Sequence, residues 1–459
     1  MFTLGSRIGF PAVCQRAAFP FHFSKTEINA DREKGVSKTS LFLCVLAGSI
    51  SISLTHAGKA YAQQNTVLAP EFVPGETIMD RFNRLHQPEG FEFGPFKINP
   101  RLDVGLGYDT NIFDSDHHVR DDGFVTTTAG ASAVASNENY FAALDGSISR
   151  ATYFSDASND AWYGALSANG WKNVGTNFHL TGNAYVAREI EARDDPQTTG
   201  ETEPVEYWHY QTGLGFETLN AIITTSAGIG YDRRDYDNVS GESGTIDLSE
   251  RNINEIDGTT RFTYHIADDR SIYLNLLGNI RLPDDKFDTN DIQRKSSGIL
   301  ATIGSNYTIN SAITLTGAIG YQGQYYVDSE VHNANGPYAS VSANWLLGEF
   351  TQVLASFEHG YYESFDVQSP GYWQNIGSIG VTQELRRDLV FIATATVADR
   401  DFIDSSRRET VYALNANVKW SVATGIVISL ENTFEVQEAR SNGTDFTSNL
   451  TLLHITKTF

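Results

Sequence analysis

Repeated alternation of apolar and polar residues is the feature that most constrains the fold of this chain. In one segment Leu102, Val104 and Leu106 are separated by Asp103 and Gly105. A period of two is typical of strands with one apolar and one polar face, because successive side chains point to opposite sides of a strand. Segments of this kind begin near residues 98, 124, 140, 162, 177, 207, 221, 256, 271, 294, 312, 338, 350, 372, 388, 410, 425 and 447. The sequence therefore predicts about eighteen strands, or sixteen if the weaker segments near 140 and 294 are not strands.

The length of these segments separates two kinds of β architecture. Strands of globular proteins usually have about 5–6 residues, whereas tilted strands that cross a membrane need about 9–11. The alternating segments belong to the longer class, and their polar positions carry mainly Gly, Ser, Thr and Asn. Such positions suit a watery lumen and not a second packed sheet. We therefore predict an all-β fold, a transmembrane antiparallel up-and-down β-barrel.

The connections between the segments alternate in length. Short connections near 137–138 and 310–311 alternate with longer ones such as 189–205 and 232–254. Outer-membrane barrels have short periplasmic turns and long extracellular loops. An even number of strands would place both termini in the periplasm. Rings such as Trp162, Trp171 and Trp420 near segment ends would lie at the level of the lipid headgroups.

The N-terminal region has the composition of an export signal. An apolar run over 41–54 is followed by Ala60-Tyr61-Ala62, which matches the small-x-small pattern of a signal-peptidase site. We predict cleavage after Ala62, so that residues 1–62 form a signal peptide with an upstream extension. Cys14 and Cys44 both precede this site, and the mature chain would therefore contain neither disulfides nor zinc–thiolate sites.

Residues 63–95 are predicted to form a periplasmic N-terminal extension, and residues 96–459 the barrel. Ile78, Phe82 and Leu85 have the spacing of one helix face, which predicts a short amphipathic helix from Thr77 to Leu85. This extension could plug the lumen or dock a periplasmic partner. The alternative is a poorly ordered leader to the first strand.

Charged residues at the polar positions of the strands are the candidate functional residues. Their positions in the two-residue alternation predict that eight of them face the lumen: Arg101, Asp103, Asp145, Asp257, Arg261, Arg281, Lys419 and Glu431. Opposed charges lining a pore could form a selectivity constriction. The alternative is that they are ion pairs that brace the wall of a filled barrel.

Acidic residues are concentrated in the predicted outer loops, for example Asp114, Asp116, Asp121 and Asp122 in the first and Asp284, Asp285, Asp288 and Asp291 in the fourth. Carboxylates could bind Ca²⁺ or Mg²⁺ and tie the loops to lipopolysaccharide phosphates. None of these loops has the spacing of an EF-hand, so a solvated, negatively charged rim is the alternative. We expect no protein metal centre.

Composition and motifs exclude several classes of function. The formal net charge is −23, so exposed surfaces should repel nucleic acid. The sequence has no Gly-x-Ser-x-Gly motif and no Gly-x-x-x-x-Gly-Lys-Ser/Thr run. We therefore expect neither an enzyme nor a cofactor-binding protein.

The start of the predicted barrel carries a family resemblance. Gly90, Gly94, Phe96 and Pro100 are followed by Tyr108-Asp109-Thr110-Asn111-Ile112-Phe113. This spacing resembles the first segment of the outer-membrane β-barrel porin families (porin 2-like) of Gram-negative bacteria. The resemblance implies an outer-membrane location and no catalytic residues, and it implies that some relatives are linked to exopolysaccharide production. The C-terminal Phe459 resembles the signal that barrel-assembly machinery reads.

These observations predict a porin-like channel of the cell outer membrane for passive passage of small hydrophilic solutes, with a preference for cations. One alternative is an accessory barrel for exopolysaccharide export or attachment, which lumen-facing rings such as Tyr185 and Tyr273 would favour. A second is a structural or adhesive surface barrel. The expected partners are outer-membrane lipids, lipopolysaccharide and the barrel-assembly machinery, with a periplasmic partner or a homo-oligomer as further options.

Overall fold

The computed structural model of the chain describes residues 76–459 except 197–200, 219, 221, 242–243, 289–290, 311, 365–368 and 442. It also pairs His22–Phe23 with Cys44–Val45. Apart from those four residues, the predicted signal peptide, 1–62, and the first part of the predicted extension, 63–75, lie outside the described residues.

The described residues form a closed barrel of eighteen antiparallel strands. In chain order the strands are β1 Phe96–Asp109, β2 Asp122–Asn137, β3 Tyr140–Tyr153, β4 Ala161–Val174, β5 Phe178–Ile190, β6 Glu206–Thr218, β7 Ile223–Tyr236, β8 Ile253–Ala267, β9 Arg270–Pro283, β10 Ser296–Asn310, β11 Ile313–Tyr326, β12 Ala334–Leu346, β13 Thr351–Glu363, β14 Gly371–Arg386, β15 Leu389–Phe402, β16 Arg408–Ala423, β17 Ile426–Arg440 and β18 Phe446–Thr458. Neighbours in sequence are neighbours in the sheet, and β18 pairs with β1 to close it. The prediction of about eighteen strands is confirmed. The alternative of sixteen is wrong, because the segments near 140 and 294 are β3 and β10.

Burial alternates along strands such as β1 and β9. On β1, Leu102 and Val104 are about half exposed, at 49% and 52%, whereas Asp103 between them is 4% exposed. An exposed apolar face and a covered polar face are the arrangement of a barrel whose outer wall meets lipid. Most apolar residues therefore face outward and most polar residues face the lumen, and Val390 and Leu354 are inward-facing exceptions.

The short turns at one end of the barrel are stabilised by the same kind of hydrogen bond. The side-chain oxygen of Asn137 accepts hydrogen bonds from the backbone N–H groups of Asn139 and Tyr140, and Asn310 does the same for Ala312 and Ile313. Asparagine side chains can replace backbone acceptors in this way and so favour tight turns. These turns make one end compact, and the long loops lie at the other end, as predicted.

Five small elements accompany the eighteen strands, three short strands and two turns of 3₁₀-helix. Phe91–Phe93 pairs with the start of β1, and Val239–Gly241 pairs with Gly244–Ile246 within the loop between β7 and β8. Single turns of 3₁₀-helix lie at Ala157–Asn159 and Ser249–Arg251.

A helix, α1, runs from Ile78 to His86, one residue beyond the predicted end. It begins at Thr77, whose hydroxyl oxygen accepts a hydrogen bond from the Asp80 N–H at 3.1 Å. Among the described residues, no helix is long and apolar enough to cross a membrane. Ile78 and Phe82 pack against the inward-facing Val390 at the start of β15. The helix therefore lies inside the barrel at its periplasmic end.

Polar contacts hold α1 against the same wall. The Arg81 guanidinium donates from Nε to the Glu384 carboxylate on β14 at 2.8 Å, and both side chains are buried. The His86 carbonyl accepts from the Gly425 N–H at 2.8 Å, in the turn between β16 and β17. Apolar packing, a buried ion pair and a backbone hydrogen bond thus fix the helix to three neighbouring strand ends.

Gly425 offers a test of this junction. Its φ is +72°, and an added Cβ would overlap the carbonyl oxygen of Thr458. Gly348 has a similar φ of +76°, but nothing lies within 4 Å of an added Cβ there. We expect Gly348→Ala to destabilise the barrel by about 1–2 kcal/mol from backbone strain. Gly425→Ala should cost about 1–3 kcal/mol more, because it adds a steric clash.

The measurement is urea unfolding of each refolded variant in lipid vesicles, followed by tryptophan fluorescence. Equal destabilisation by the two substitutions would show that the junction at Gly425 can relax without loss.

Candidate functional site

The inner wall of the barrel is the candidate functional site. All eight charged residues predicted for the lumen lie on inward-facing positions of their strands: Arg101, Asp103, Asp145, Asp257, Arg261, Arg281, Lys419 and Glu431. They do not form one ring. The structure divides them into a group on β1 and β3, a group on β8 and β9, and a group on β16 and β17.

The first group is tightly paired. Arg101 on β1 donates two hydrogen bonds to Asp145 on β3, at 2.7 and 2.9 Å. The guanidinium crosses β2 above Gly130, where a side chain would come within 3.1 Å of it. Asp103 accepts from Thr456 at 2.6 Å and lies 2.9 Å from the ring of His454. These contacts brace the wall beside the seam between β1 and β18.

The third group has a carboxylate held by amides. Asn415 and Asn417 each donate to Glu431 at 2.9 Å. Lys419 occupies the next inward position on β16 after Asn417. In the second group, Arg261 lies over the ring of Tyr273 at 3.6 Å from its centroid. The contacts of Arg101, Asp145, Glu431 and Arg261 are therefore with residues on the same or nearby strands.

Residues 191–196, at the start of the loop between β5 and β6, reach across the extracellular mouth of the barrel. Arg400 on β15 donates to the Asp194 carbonyl at 3.3 Å, and Arg407 donates to the Pro196 carbonyl at 3.0 Å. Strands β5 and β15 lie on opposite sides of an eighteen-strand barrel. The loop therefore spans the lumen and narrows it.

Further ion pairs hold the base of this loop. Arg251, just before β8, donates to Glu191 at 2.9 Å and lies 3.7 Å from Glu201. Glu191, Asp194 and Glu201 are all buried. The expectation of a solvated rim is wrong for these acids, because each one is turned inward to an arginine.

A second inward segment narrows the mouth from another side. Glu363, at the end of β13, forms an ion pair with Arg281 on β9. Glu363 also accepts hydrogen bonds from the hydroxyls of Tyr326 at 2.9 Å and Ser296 at 3.2 Å. The end of β13 thus leans across β10 to β12, and one predicted lumen charge, Arg281, holds it there.

Solvent reaches the inner wall at β12 to β14. Ser342 and Ser356 face inward and are exposed, and Ser356 shares a hydrogen bond of 2.7 Å with Ser378. Glu358, the next inward residue on β13, is half-buried. This wall carries small hydroxyl groups and one half-buried carboxylate together with the exposed, inward-facing Leu354. The hydroxyl groups and the carboxylate are surfaces that hydrophilic solutes and ions can pass.

The inward aromatic rings are covered. Tyr185 and Tyr273 face the lumen as predicted, but each is 7% exposed. The Tyr185 hydroxyl donates to Glu189 at 2.6 Å, and Arg261 covers one face of Tyr273. Sugars stack on open ring faces, so these two rings do not favour sugar binding. Trp171, expected at the headgroup level, instead faces inward and stacks on His179.

Carboxylates of the outer loops remain charged. The Arg233 guanidinium, which donates to Asp284, holds the pKa of that carboxyl below its usual range. The backbone N–H of Ser249 lowers the pKa of Asp247, and that of Gln293 lowers the pKa of Asp328. In residues 76–459, as far as they are described, no group of three or more His, Cys, Asp or Glu residues could hold a metal ion. These acids act as fixed negative charges at the mouth.

Phe459 closes the chain against the first strand. Its backbone N–H donates to the Pro100 carbonyl at 2.9 Å, and its ring is 42% exposed on the outside of the barrel. The ammonium group of Lys457 lies 5.5 Å from the ring centroid. Its role as an assembly signal stays a prediction.

Sequence reasoning missed Arg400 and Arg407. Arg400 follows Thr396 and Ala398 at the same parity on β15, so parity could have placed it in the lumen. Arg407 precedes a strand and carries no such signal. Neither residue could be joined to residues 191–205 from the sequence, because the contact links positions more than 200 residues apart.

Comparisons with known proteins agree with this architecture. Residues 85–459 match the model of a family described as Putative beta-barrel porin 2. No curated protein matches the chain. The resemblance stated from residues 90–113 is confirmed by the family match, and the outer-membrane location follows from it.

Solved structures with a similar fold are outer-membrane barrels of low identity. OccAB4 from Acinetobacter baumannii is 12% identical, with 79% of this chain and 98% of that chain covered and a TM-score of 0.44. OpdK from Pseudomonas aeruginosa, solved with vanillate, is 10% identical, with 79% and 98% covered and a TM-score of 0.43. The siderophore receptor PirA from Pseudomonas aeruginosa is 10% identical, with 79% and 80% covered and a TM-score of 0.42. Likenesses at these values carry no argument about solute or mechanism.

The contact between Arg400 and the loop can be tested against its neighbour Arg408. The Arg400 side chain is 3% exposed, whereas Arg408 pairs with Asp399 on the outer face and is 51% exposed. Arg400→Met should remove a positive charge that pairs with the buried carboxylates of Asp194 and Glu409. The stability of the folded protein should fall by about 3–5 kcal/mol. Arg408→Met should cost about 0–1 kcal/mol.

Hydrogen exchange of the backbone amides of 191–196 in the folded protein measures this difference. Exchange in Arg400→Met should be faster by several orders of magnitude than in Arg408→Met. Unchanged protection in Arg400→Met would mean that the loop is held across the mouth by other contacts.

Proposed function

Since the chain belongs to the Putative beta-barrel porin 2 family and is an outer-membrane barrel, we propose that it is a channel for passive passage of small hydrophilic solutes that prefers cations. Family and fold point to a channel rather than an enzyme. The observation that carries the proposal is the solvent-accessible inner wall at β12 to β14, with its exposed serines Ser342 and Ser356.

The balance of charge on the inner wall supports cation preference. Inward-facing carboxylates of the described strands outnumber inward lysines and arginines. The carboxylates are Asp103, Asp109, Asp122, Asp145, Glu189, Glu217, Asp232, Glu255, Asp257, Glu358, Glu384, Glu409, Glu431 and Glu435, and the basic residues are Lys97, Arg101, Arg234, Arg261, Arg281, Arg400 and Lys419. A lumen with net negative charge raises the local concentration of cations and lowers that of anions.

Size selection would arise where backbone and side chains enter the lumen. Residues 191–196 reach across the extracellular mouth, and α1 occupies part of the periplasmic end. Both are fixed by buried ion pairs, Arg400 with Asp194 and Arg81 with Glu384. Solutes would therefore meet two narrow zones separated by the polar wall.

Conductance of the refolded protein in a planar bilayer with a salt gradient tests the proposal. We expect steady openings and a reversal potential that shows cation preference. Glu358→Gln should reduce the cation-to-anion permeability ratio by roughly fourfold, because a unit charge about 10 Å away stabilises a cation by about 0.4 kcal/mol in water and destabilises an anion by the same amount. Glu438→Gln, an exposed residue on the outer face of β17, should leave the ratio unchanged.

A correctly folded barrel that never opens would overturn the proposal of passive passage. Equal effects of Glu358→Gln and Glu438→Gln would refute the assignment of selectivity to the inner wall.

Shortening the loop between β5 and β6 tests the proposed size selection. Replacement of residues 192–204 by a short Gly-Ser linker should raise the single-channel conductance severalfold, because it removes the segment that spans the mouth. Shortening residues 327–333, whose His332 side chain is 74% exposed, is the matched control and should leave conductance unchanged. A larger exclusion limit for neutral polyethylene glycols should accompany the first change only.

A further inference from the structure

Three polar side chains form a cluster on the lipid-facing wall of the barrel. Asn432 on β17 and Asn449 and Thr451 on β18 all occupy outward positions. Asn432 donates from Nδ2 to the side-chain oxygens of Asn449 and Thr451, each at 2.9 Å. We call these three residues the amide patch. Carboxamides have no hydrogen-bonding partner among lipid chains, so their place on this wall requires an explanation.

The patch begins in the middle of the apolar band. Along β17 the outward residues on either side of Asn432 are Leu430 and Phe434, which are 49% and 42% exposed. The next outward residues, Ile428 and Val436, are apolar as well. Asn432 is therefore the midpoint of an outward run that otherwise contains only apolar residues. From Asn432 the patch extends toward the extracellular end of β18, where Asn449 is the fourth residue of the strand and its backbone pairs with Thr110.

The contacts within the patch leave two groups unused. Among the described residues, neither the side-chain oxygen Oδ1 of Asn432 nor the amide nitrogen Nδ2 of Asn449 has a hydrogen-bonding partner. One group is an acceptor and the other is a donor. A second copy of the same patch, turned by a two-fold axis, presents a donor to this acceptor and an acceptor to this donor. The amide patch is therefore self-complementary, which is the property that a two-fold interface requires.

The surface beside the patch permits close approach. Ala416 on β16 lies directly opposite Asn432, and Ala393 on β15 lies directly opposite Ala416. Both alanines face outward, between bulkier rings such as Tyr412 and Trp420 at the ends of β16. In membranes, small residues let two backbones come close, and polar side chains then form hydrogen bonds between them. The alanines supply the first feature, and the amide patch supplies the second.

We infer that the outer wall of β15 to β18 is an intramembrane interface at which two copies of this chain pair around a two-fold axis. The Asn432 amide oxygen of each copy accepts a hydrogen bond from Asn449 of the other. The lumens of the two barrels remain separate, because the interface uses only outward-facing residues. The inference is therefore independent of the channel function.

Disulfide trapping tests the interface in the full chain within the outer membrane. The native cysteines, Cys14 and Cys44, both precede the predicted cleavage site, so an introduced cysteine can be followed alone. Ala416→Cys should yield an oxidised dimer in high proportion, because this residue lies directly opposite Asn432 on the proposed interface. Ala227→Cys on β7, an outward alanine nine strands away, is the control and should yield at least tenfold less.

Removal of the hydrogen-bonding groups provides the second arm. Asn432→Leu combined with Asn449→Leu should reduce the trapped fraction of Ala416→Cys at least tenfold while the barrel still folds, as judged by resistance to trypsin and by heat-modified gel mobility. The purified double variant should have the mass of one chain in detergent, against two for the unchanged protein.

Three results would overturn the inference. They are a mass of one chain for the unchanged protein in native membrane extracts, equal trapping at Ala416→Cys and Ala227→Cys, and trapping of Ala416→Cys to a different protein instead of a second copy. Conductance of the double variant separates this inference from the channel proposal, since a monomeric barrel should conduct as the unchanged protein does.

Discussion

The structure depends on one requirement: in lipid, every backbone N–H and C=O of the wall must find its hydrogen bond within the protein. Pairing of β18 with β1 meets this requirement, from Leu450 opposite Asp109 to Thr458 opposite Arg101. Once the sheet is closed, the alternation of inward and outward positions along a strand is fixed by its pairing. A shift of the pairing by one residue would turn the polar face toward lipid. The contacts of Asp103 with His454 and Thr456 add side-chain specificity to that register.

This dependence explains which parts of the molecule the sequence could predict. Alternation is local, so strand number, strand position and the inward placement of residues such as Lys419 and Glu431 follow from parity alone. The contacts of Asp194 with Arg400 are not local. In the sequence Asp194 belongs to an acidic loop like any other, and composition cannot tell which carboxylate will meet a guanidinium on the opposite wall. Trp171 shows the same limit, because proximity to a strand end does not decide which face a ring occupies.

Pairing of arginines with carboxylates organises both ends of the lumen. At the extracellular mouth, Arg251, Arg281 and Arg400 hold inward-folded segments, and at the periplasmic end Arg81 holds α1. Burial of these charges is tolerable because each has a partner, and removal of one partner is costly. Among the described residues, no such crossing contact reaches the middle of β12 to β14, where small hydroxyl groups stay open to solvent. The narrow zones and the open wall thus have different chemistry.

The same requirement extends from the backbone to the side chains of the outer wall. A serine or threonine in lipid can return its hydroxyl to a neighbouring carbonyl, but a carboxamide has more donor and acceptor sites than its own strand can satisfy. Asn432 donates to Asn449, Thr451 and the Leu450 carbonyl, and among the described residues its own side-chain oxygen and the Asn449 amide nitrogen then have no partner. Closure of the barrel leaves no unpaired strand edge. Pairing of two barrels would give hydrogen-bonding partners to the polar groups of Asn432 and Asn449 that closure leaves unused on the outer wall.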